Sequence, residues 1–360
     1  MSGGVDSSVA AGLLVQQGYD VVGITMRLWT EERDDLPATN RTCCGVEAVD
    51  DAQEVAHKLG IPYYVLNYER AFKANVVDYF VGEYAKGRTP NPCLACNQYV
   101  KFDPLLQQAR ALGADYLATG HYARVRGDDG GFHLLRGVDP RKDQSYFLYT
   151  LGQEELRSVL FPVGGYTKDA IRGIAAELGL PVADKADSQE ICFIQDNDYR
   201  RFVNERLEQD EGEIVDGEGR VLGAHRGIAN FTIGQRQGLG LSTSERVYVT
   251  DIDAVRQRVV VGTDAALYRE QAFVEDVRLV RGGLEFLPAE ATVKIRYKTS
   301  ETAARLDAVE GGVLVAFQEP QRALTPGQAM VFYHGEAVIG GGIIARWPRI
   351  EIEDVRREAL

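Results

Sequence analysis

Apolar and polar positions follow two different rhythms along the chain, and the first covers residues 1–200. A helical period runs from about Asp6 to Gln17, and a continuous apolar run at 21–26 is typical of a buried parallel strand. A second helical pattern runs from Val46 to Leu59 and is stopped by Gly60 and Pro62. Strand and helix signals therefore alternate from the start of the chain.

The same alternation continues with a strand at 63–66, helices near 71–86 and 103–112, and a strand at 116–119. This rhythm predicts an α/β domain in which helices cover both faces of a parallel sheet. Ligands of such sheets bind at the carboxyl ends of the strands. Met26 and Gly120 lie at two such ends, so we expect both residues near the loop formed by residues 2–8.

The second rhythm begins after about residue 205, where helical patterns thin out and short alternating runs appear with glycines between them. These runs lie at 213–217, 247–249, 259–262, 292–297 and 312–317. Strands at this spacing without helices between them predict small β domains or a barrel. We therefore expect domains at 1–204, 205–264 and 265–360.

Composition narrows the class of protein. The chain is 45% hydrophobic and 26% charged, as in soluble globular proteins, and no apolar run approaches the ~20 residues of a membrane span. No secretory signal opens the chain, and five cysteines are an odd number. These features favour a cytoplasmic protein whose cysteines serve redox, metal or nucleophile chemistry. The net charge of −13 means that any nucleic acid would need local basic patches.

Residues 2–8, Ser-Gly-Gly-Val-Asp-Ser-Ser, form the pattern of a phosphate-binding loop that opens a helix. Adjacent glycines let the backbone approach an anion closely, and the helix directs its free N–H groups at that anion. No Gly-Lys-Ser/Thr follows, so the loop lacks the Walker lysine. Such a loop suits an enzyme that releases pyrophosphate and forms an adenylate.

The cysteines predict the nucleophile. Cys93 and Cys96 have C-x-x-C spacing in a Pro-rich segment that we interpret as a turn with no helix after it, and Cys192 stands alone. A cysteine can carry sulfur as a persulfide, and a second cysteine can release that sulfur by forming a disulfide. Half a zinc site, a thioredoxin-type pair and a buried core thiol at Cys192 are the alternatives. We interpret Cys43 and Cys44 as structural.

The chain resembles the tRNA-specific 2-thiouridylases over nearly its whole length. The matching segments are residues 2–8, 87–92 with 96–97, 118–122, 142–147, 191–194, 232–236 and 325–328. The resemblance implies a Rossmann-like domain of the adenine nucleotide α-hydrolase type followed by two β-rich domains. It also implies ATP-dependent thiolation of the wobble uridine in the tRNAs for Lys, Glu and Gln, with a persulfide donor protein as partner and no membrane.

The resemblance also implies residue roles. Cys96 matches a nucleophile that ends in a disulfide, and Cys192 matches the persulfide carrier. Asn91, Pro92 and Cys93 match the segment that meets the target base. The ATP site corresponds to Ser2, Gly3, Gly4, Val5, Asp6, Ser7, Ser8, Met26 and Gly120. Contacts with tRNA correspond to His121, Lys142, Asp143, Gln144, Arg296, Tyr297 and Gln328.

Physical chemistry adds three expectations to these roles. Asp6 beside phosphates would repel them, so we expect Mg²⁺ between them. Asp103 and Asp187 are candidates for the general base, although Asp103 is more typical of a helix cap. The target base must leave its stack to react. Two basic patches, at 121–142 and 294–305, are expected to contact tRNA phosphates.

Two departures from the family pattern leave alternatives open. Many members carry aspartate where this chain has Cys93, and three cysteines could instead hold an iron–sulfur cluster. A buried strand normally precedes the phosphate loop, so we expect a natural start upstream of Met1. There are two rival interpretations. One is an argininosuccinate-synthase-like ligase, which would not need the cysteines. The other is a non-catalytic tRNA-binding protein, and the intact phosphate loop argues against it.

Overall fold

The computed structural model describes residues 1–29, 46–186, 191–242 and 245–346. Its α-helices are α1 (Val5–Gln16), α2 (Val46–Leu59), α3 (Glu69–Phe72), α4 (Asp78–Ala85), α5 (Pro92–Cys96), α6 (Leu106–Ala111), α7 (Gln153–Leu156), α8 (Lys168–Glu177) and α9 (Tyr199–Asn204). Two π-helical segments, Lys73–Val77 and Asn97–Leu105, join α3 to α4 and α5 to α6.

The strands fall into an early group and a late group. The early strands are β1 (Gly23–Arg27), β2 (Tyr63–Asn67), β3 (Leu117–Ala118), β4 (Ala123–Asp128), β5 (Gly131–Arg136) and β6 (Val159–Leu160). The late strands are β7 (Gly212–Val215), β8 (Val221–His225), β9 (Tyr248–Asp253), β10 (Arg258–Gly262), β11 (Tyr268–Leu279), β12 (Glu290–Lys294), β13 (Thr302–Val309), β14 (Gly312–Arg322), β15 (Ala329–His334) and β16 (Ala337–Ile344).

The first domain has the α/β character that its pattern predicts. β1 pairs with β2 in parallel from Gly23 opposite Tyr63 onward, and β3 pairs with β6 in parallel. In the described part of the chain these are two separate parallel pairs instead of one continuous ladder. Val9 of α1, Val55 of α2 and Ile171 of α8 are fully buried in one cluster, so the helices pack on each other through these apolar faces.

The expectation that the C-x-x-C segment is a turn without a following helix is wrong. Cys93 and Cys96 lie on α5, and helical structure continues through Ala111. The Asn91 side chain caps α5 by accepting from the Cys93 N–H at 3.1 Å, and Pro92 occupies the first turn, where its missing N–H costs nothing. Pro104 lies inside the π-helical segment. Proline has no backbone N–H and cannot complete the hydrogen bonding of a regular α-helical turn there.

The late strands form two β structures. Four strands in the order β8-β7-β10-β9 make a small sheet, and six strands from β11 to β16 close into a barrel through the pairing of β11 with β16. The hairpin β4–β5 of the first domain joins this sheet, with Leu135 opposite Ala337 of β16. The pattern did not predict that connection. None of the helices within the described ranges is both long and apolar enough to span a membrane.

Candidate active site

The phosphate loop, residues 2–8, closes on itself before α1. Gly3 has φ +65, and a Cβ there would lie 2.3 Å from the Ala48 carbonyl oxygen, so only glycine fits. The Ser7 hydroxyl lies 3.1 Å from the Ser2 hydroxyl, and the Ser8 hydroxyl donates to the Gly4 carbonyl at 2.8 Å. The loop therefore gathers hydroxyl groups around the start of α1, as a phosphate site requires.

Two strand ends lie against this loop. A Cβ on Gly120, just after β3, would lie 2.6 Å from the Ser7 backbone nitrogen. The Thr25 hydroxyl of β1 donates to the Met1 carbonyl at 2.7 Å, beside Met26. The carboxyl ends of β1 and β3 thus flank the loop, and the ATP contacts of Met26 and Gly120 stay predictions.

Two lysines from distant sequence reach the phosphate loop. Lys168 Nζ, on a side chain only 7% exposed, donates to Asp6 Oδ1 at 2.7 Å, and the Tyr122 hydroxyl donates to the same oxygen at 2.6 Å. Lys185 Nζ donates to the Gly3 carbonyl at 2.7 Å and to Asp51. The loop lacks a Walker lysine in its own sequence, but lysines from α8 and from the segment after it contact the loop.

Sequence reasoning missed Lys168, Lys185 and Tyr122, because none of them lies near the loop in the chain. The expectation that Asp6 needs Mg²⁺ to offset its charge changes accordingly, since Lys168 already neutralises it. Asp6 remains 33% exposed and is the loop carboxylate whose oxygen chemistry suits Mg²⁺.

None of the three described cysteines forms a disulfide. Cys96 is buried, Cys192 is half-buried against the same hydrophobic cluster, and Cys93 is exposed. The described residues hold no group of three or more His, Cys, Asp or Glu side chains placed to bind a metal, so in this arrangement the cysteines do not fit a shared cluster. Cys43 and Cys44 lie outside the described residues.

The two candidate general bases have different outcomes. Asp103 is inside the π-helical segment and accepts from Gln107 Nε2 at 2.6 Å, so the expectation of a helix cap is wrong there. Asp187 lies outside the described residues.

His121 is partly buried, and its Nδ1 shares a hydrogen bond with the Thr119 hydroxyl at 2.8 Å. Burial, and then the Lys101 charge, hold the His121 pKa well below its usual value, so the ring is neutral near pH 7.

Tyr297 connects the barrel to the segment that contacts α5. Its ring centroid lies 4.4 Å from that of Phe147, whose carbonyl accepts from Asn97 Nδ2 at 3.0 Å. The Tyr297 pKa is raised by burial first and then by the charges of Asp143 and Cys93. A half-buried aromatic face therefore packs on the segment that contacts α5, the helix that carries Cys93, where the resemblance expects the target base.

Several predicted tRNA residues are hydrogen-bonded inside the protein. Asp143 is buried and accepts from the Gly137 and Ser145 N–H groups at 3.0 and 3.1 Å. Gln144 Oε1 accepts from the Tyr122 N–H at 3.0 Å, whereas Lys142 is half-exposed. Their tRNA roles stay predictions, and the structure adds an internal role for Asp143 and Gln144.

The two basic patches are partly neutralised. Arg136 lies 3.8 Å from the Tyr333 ring centroid and pairs with Glu301 at 2.7 Å. Further pairs there include those of Arg124 with Glu336, Arg141 with Asp139 and Asp169, and Arg305 with Asp307. A separate cleft of about 580 Å³ opens beside α9, lined by Arg200, Gln235, Arg236, Gln237, Gly238 and Tyr248.

A phosphate loop at the carboxyl ends of parallel strands, with three cysteine thiols in the same domain, defines a nucleotide-dependent enzyme of the Rossmann-like class. Family models agree along the chain: a tRNA methyl transferase HUP domain matches residues 1–196, a tRNA methyl transferase PRC-barrel domain 200–263, and an aminomethyltransferase beta-barrel domain 269–344.

Curated relatives give the family. The chain is 51% identical to the tRNA-specific 2-thiouridylase MnmA of Clostridium perfringens over 96% of each chain. It is 48% identical to the protein of the same name from Acetivibrio thermocellus, over 96% of this chain and 97% of the relative. The chain belongs to the tRNA-specific 2-thiouridylase family. This membership confirms the resemblance and the expected fold, and it favours a thiouridylase over an argininosuccinate-synthase-like ligase.

Among solved structures, NMN synthetase from Francisella tularensis is similar over 52% of this chain and 63% of its own, at 19% identity and a TM-score of 0.29, a likeness too small to support an argument.

Proposed function

We propose that this ATP-dependent tRNA 2-thiouridylase modifies the wobble uridine of the tRNAs for lysine, glutamate and glutamine. Cys192 carries sulfur as a persulfide received from a donor protein, and Cys96 completes the transfer. The observation that carries the proposal is that the buried Cys96 and the half-buried Cys192 pack in one hydrophobic cluster. The odd number of cysteines supports a cytoplasmic setting.

The first step makes the uracil oxygen a leaving group. The O2 atom attacks the α-phosphorus of ATP, the bond to the β-phosphate bridging oxygen breaks, and pyrophosphate leaves. The N–H groups at the start of α1 and the hydroxyls of Ser2 and Ser7 are suited to hold the departing pyrophosphate. Asp6 is the residue that would hold Mg²⁺, which supplies charge neutralisation when bound.

Lys168 gives the phosphate site a second means of charge balance. With Asp6 neutralised by Lys168, the loop does not present a bare carboxylate to incoming phosphates. A lysine ammonium within reach of the loop would also attract the pyrophosphate. These contacts support an ATP site at the loop and add Lys168 and Lys185 to its residues.

The second step exchanges oxygen for sulfur. The terminal sulfur of the Cys192 persulfide attacks C2, and AMP departs with the oxygen. The Cys96 thiolate then attacks the Cys192 sulfur, and the electrons of the persulfide S–S bond pass to the sulfur that stays on C2. The two cysteines end as a disulfide, which a thiol reductant must reduce before the next turnover.

The target base is proposed to bind beside Cys93 and Tyr297. Flipping the base out of its stack costs a few kcal/mol, and an aromatic face restores part of the lost stacking. Tyr297 and Phe147 provide such a face, and the Phe147 carbonyl accepts from Asn97, the residue that follows α5. Asn91 and Pro92, which begin that helix, border the same corner.

Mass spectrometry of tRNA after incubation with ATP and a persulfide donor tests the function. Wild-type enzyme should produce 2-thiouridine, and the Cys96→Ala and Cys192→Ala variants should each abolish it. Cys93→Asp introduces the residue that many family members carry and should retain thiolation. Retained activity in Cys96→Ala or Cys192→Ala would overturn the assignment.

The same variants separate persulfide transfer from a cluster. A cluster on Cys93, Cys96 and Cys192 needs all three thiolates, so Cys93→Asp would lose both bound iron and thiolation. Iron analysis of anaerobically prepared protein provides the second readout. Full activity without iron supports persulfide transfer, and activity that rises with iron content contradicts it.

A further inference from the structure

The turn of the barrel at residues 323–328, here the barrel turn, contacts the segment at residues 88–91, here the cysteine loop. Gln328 Nε2 donates to the carbonyls of Thr89 at 2.8 Å and Pro90 at 3.2 Å. The Thr89 N–H donates back to the Pro326 carbonyl at 2.8 Å. Three hydrogen bonds therefore join residues that are more than two hundred positions apart.

The fit between the two segments is close. Gly327 has φ +91, and a Cβ there would lie 3.0 Å from both the Thr89 nitrogen and the Thr89 oxygen. Arg88 lies next to Thr89 and pairs with Glu83 of α4 at 2.7 Å and with Glu275 of β11 at 2.8 Å. The cysteine loop is thus fixed from the barrel side along its first three residues.

The barrel turn is itself held in an unusual backbone conformation. Ala323 has φ 55, a region that non-glycine residues occupy only when their surroundings enforce it. Arg296 donates to the Ala323 carbonyl and, at 2.9 Å, to the Thr325 hydroxyl, which donates to the same carbonyl at 2.9 Å. Arg296 therefore stabilises the turn that carries Gln328.

The cysteine loop ends at Asn91, which caps the helix that carries Cys93 and Cys96. Any shift of Thr89 or Pro90 changes where α5 begins, because only Asn91 and Pro92 separate them from Cys93. A continuous set of contacts thus leads from Arg296 through Ala323 and Gln328 to the reactive thiols.

We propose that Arg296 and Gln328 are positioning residues of the sulfur-transfer site, holding the cysteine loop through the barrel turn so that Cys96 stays buried in the geometry needed for transfer. This inference rests on the proposed function of Cys96 and goes beyond the tRNA contacts that the resemblance assigns to both residues. In this arrangement the barrel is part of the active site before tRNA binds.

The test compares Gln328→Ala with Lys298→Ala, which removes an exposed cation from the same barrel without touching the cysteine loop. Iodoacetamide alkylation of Cys96 is measured by peptide mass spectrometry in tRNA-free protein. Gln328→Ala should raise its rate about tenfold, because local opening exposes a buried thiol. Single-turnover thiolation should fall about tenfold to a hundredfold, as small misplacements of reacting groups do.

Binding and stability measurements complete the comparison. The tRNA affinity of Gln328→Ala should stay within about twofold of wild type, whereas Lys298→Ala should weaken binding and leave alkylation unchanged. Arg296→Lys, which keeps the charge but loses the forked geometry, should reproduce the alkylation change of Gln328→Ala. The unfolding temperature checks that the variants fold.

Unchanged Cys96 alkylation in Gln328→Ala, or faster alkylation with unchanged thiolation, would overturn the inference. So would a tRNA affinity loss that accounts for the whole loss of activity. Because alkylation is read without tRNA or ATP, failure of the proposed function appears separately, as wild-type enzyme that does not thiolate tRNA.

Discussion

The phosphate loop and the part of the molecule around Cys93 and Cys96, here the cysteine corner, are built in different ways. The loop is held by contacts within the first domain, with Gly3 against Ala48 and Gly120 against Ser7. The cysteine corner is assembled from α5, from Tyr297 of the barrel and from the barrel turn. A site whose parts lie in one domain is preformed, whereas a site made by elements of two domains responds to how those elements dock. The comparison teaches that nucleotide binding and sulfur transfer can be disturbed independently.

The largest expected effect breaks the phosphate loop alone. Gly120→Ala places a methyl group 2.6 Å from the Ser7 nitrogen, so the start of α1 must shift. ATP affinity should fall by about a hundredfold or more, as loss of several oriented phosphate contacts implies. Equilibrium binding of ATP measures this effect. Gly82→Ala, where a Cβ meets nothing within 4 Å, is the control.

Cys96 alkylation in Gly120→Ala should equal that of wild type if the two sites are independent. A parallel rise in alkylation would show that the loop and the cysteine corner form one cooperative unit, contrary to the comparison.

Replacement of Lys168 by Met should have the next largest effect. It leaves the Asp6 carboxylate without its cation, and loss of one partner from a partly buried pair costs about 1–3 kcal/mol of unfolding free energy. Denaturant unfolding measures that cost. Lys73→Met breaks a pair whose side chains are 60% and 54% exposed, and should cost under about 0.5 kcal/mol.

The Lys168→Met variant should also need a higher Mg²⁺ concentration for ATP binding. Without Lys168, Mg²⁺ alone has to neutralise the Asp6 carboxylate. An unchanged Mg²⁺ requirement would mean that Lys168 serves the fold and not the phosphate site.

Tyr297→Ala disturbs the cysteine corner and leaves the phosphate loop intact. It removes the aromatic face that Tyr297 forms with Phe147 and should reduce thiolation about tenfold through lost base stacking, while ATP affinity stays unchanged. Tyr297→Phe keeps the ring and should retain most activity. Equal losses in both variants would assign the effect to the hydroxyl group instead of the stacking face.

The smallest effect is expected in the cleft beside α9. Arg236 is exposed there, and Arg236→Ala should weaken tRNA binding modestly and reduce the salt dependence of affinity by about one unit of slope. Arg256→Ala, which removes an exposed arginine that pairs with Asp253, is the matched control. A salt slope that stays the same would remove this cleft from the tRNA-binding surface.

Sequence reasoning succeeded where structure is local. The bounds of α2 agree with its apolar period and its stop signal, and α1 begins one residue before the position expected for it. The helix at Cys93 was missed although Asn91 and Pro92 carry a capping signal, because prolines were weighed as turn residues instead of as first-turn residues.

What could not be predicted depends on distant contacts. No local pattern indicates that Lys168 reaches Asp6, or that Gln328 reaches Thr89. The resemblance implies that Gln328 contacts tRNA, and only the folded chain reveals its hydrogen bonds to the cysteine loop.

The β4–β5 hairpin has a consequence for how the enzyme can be divided. Leu135 and Leu134 lie opposite Ala337 and Val338, so the barrel sheet includes strands from the first domain. A fragment that ends after α9 would leave β5 with an unpaired edge, a template for aggregation. The chain therefore has three domains by sequence pattern but not three interchangeable modules: the barrel could not be exchanged for that of a relative unless its last strand still accepted this hairpin.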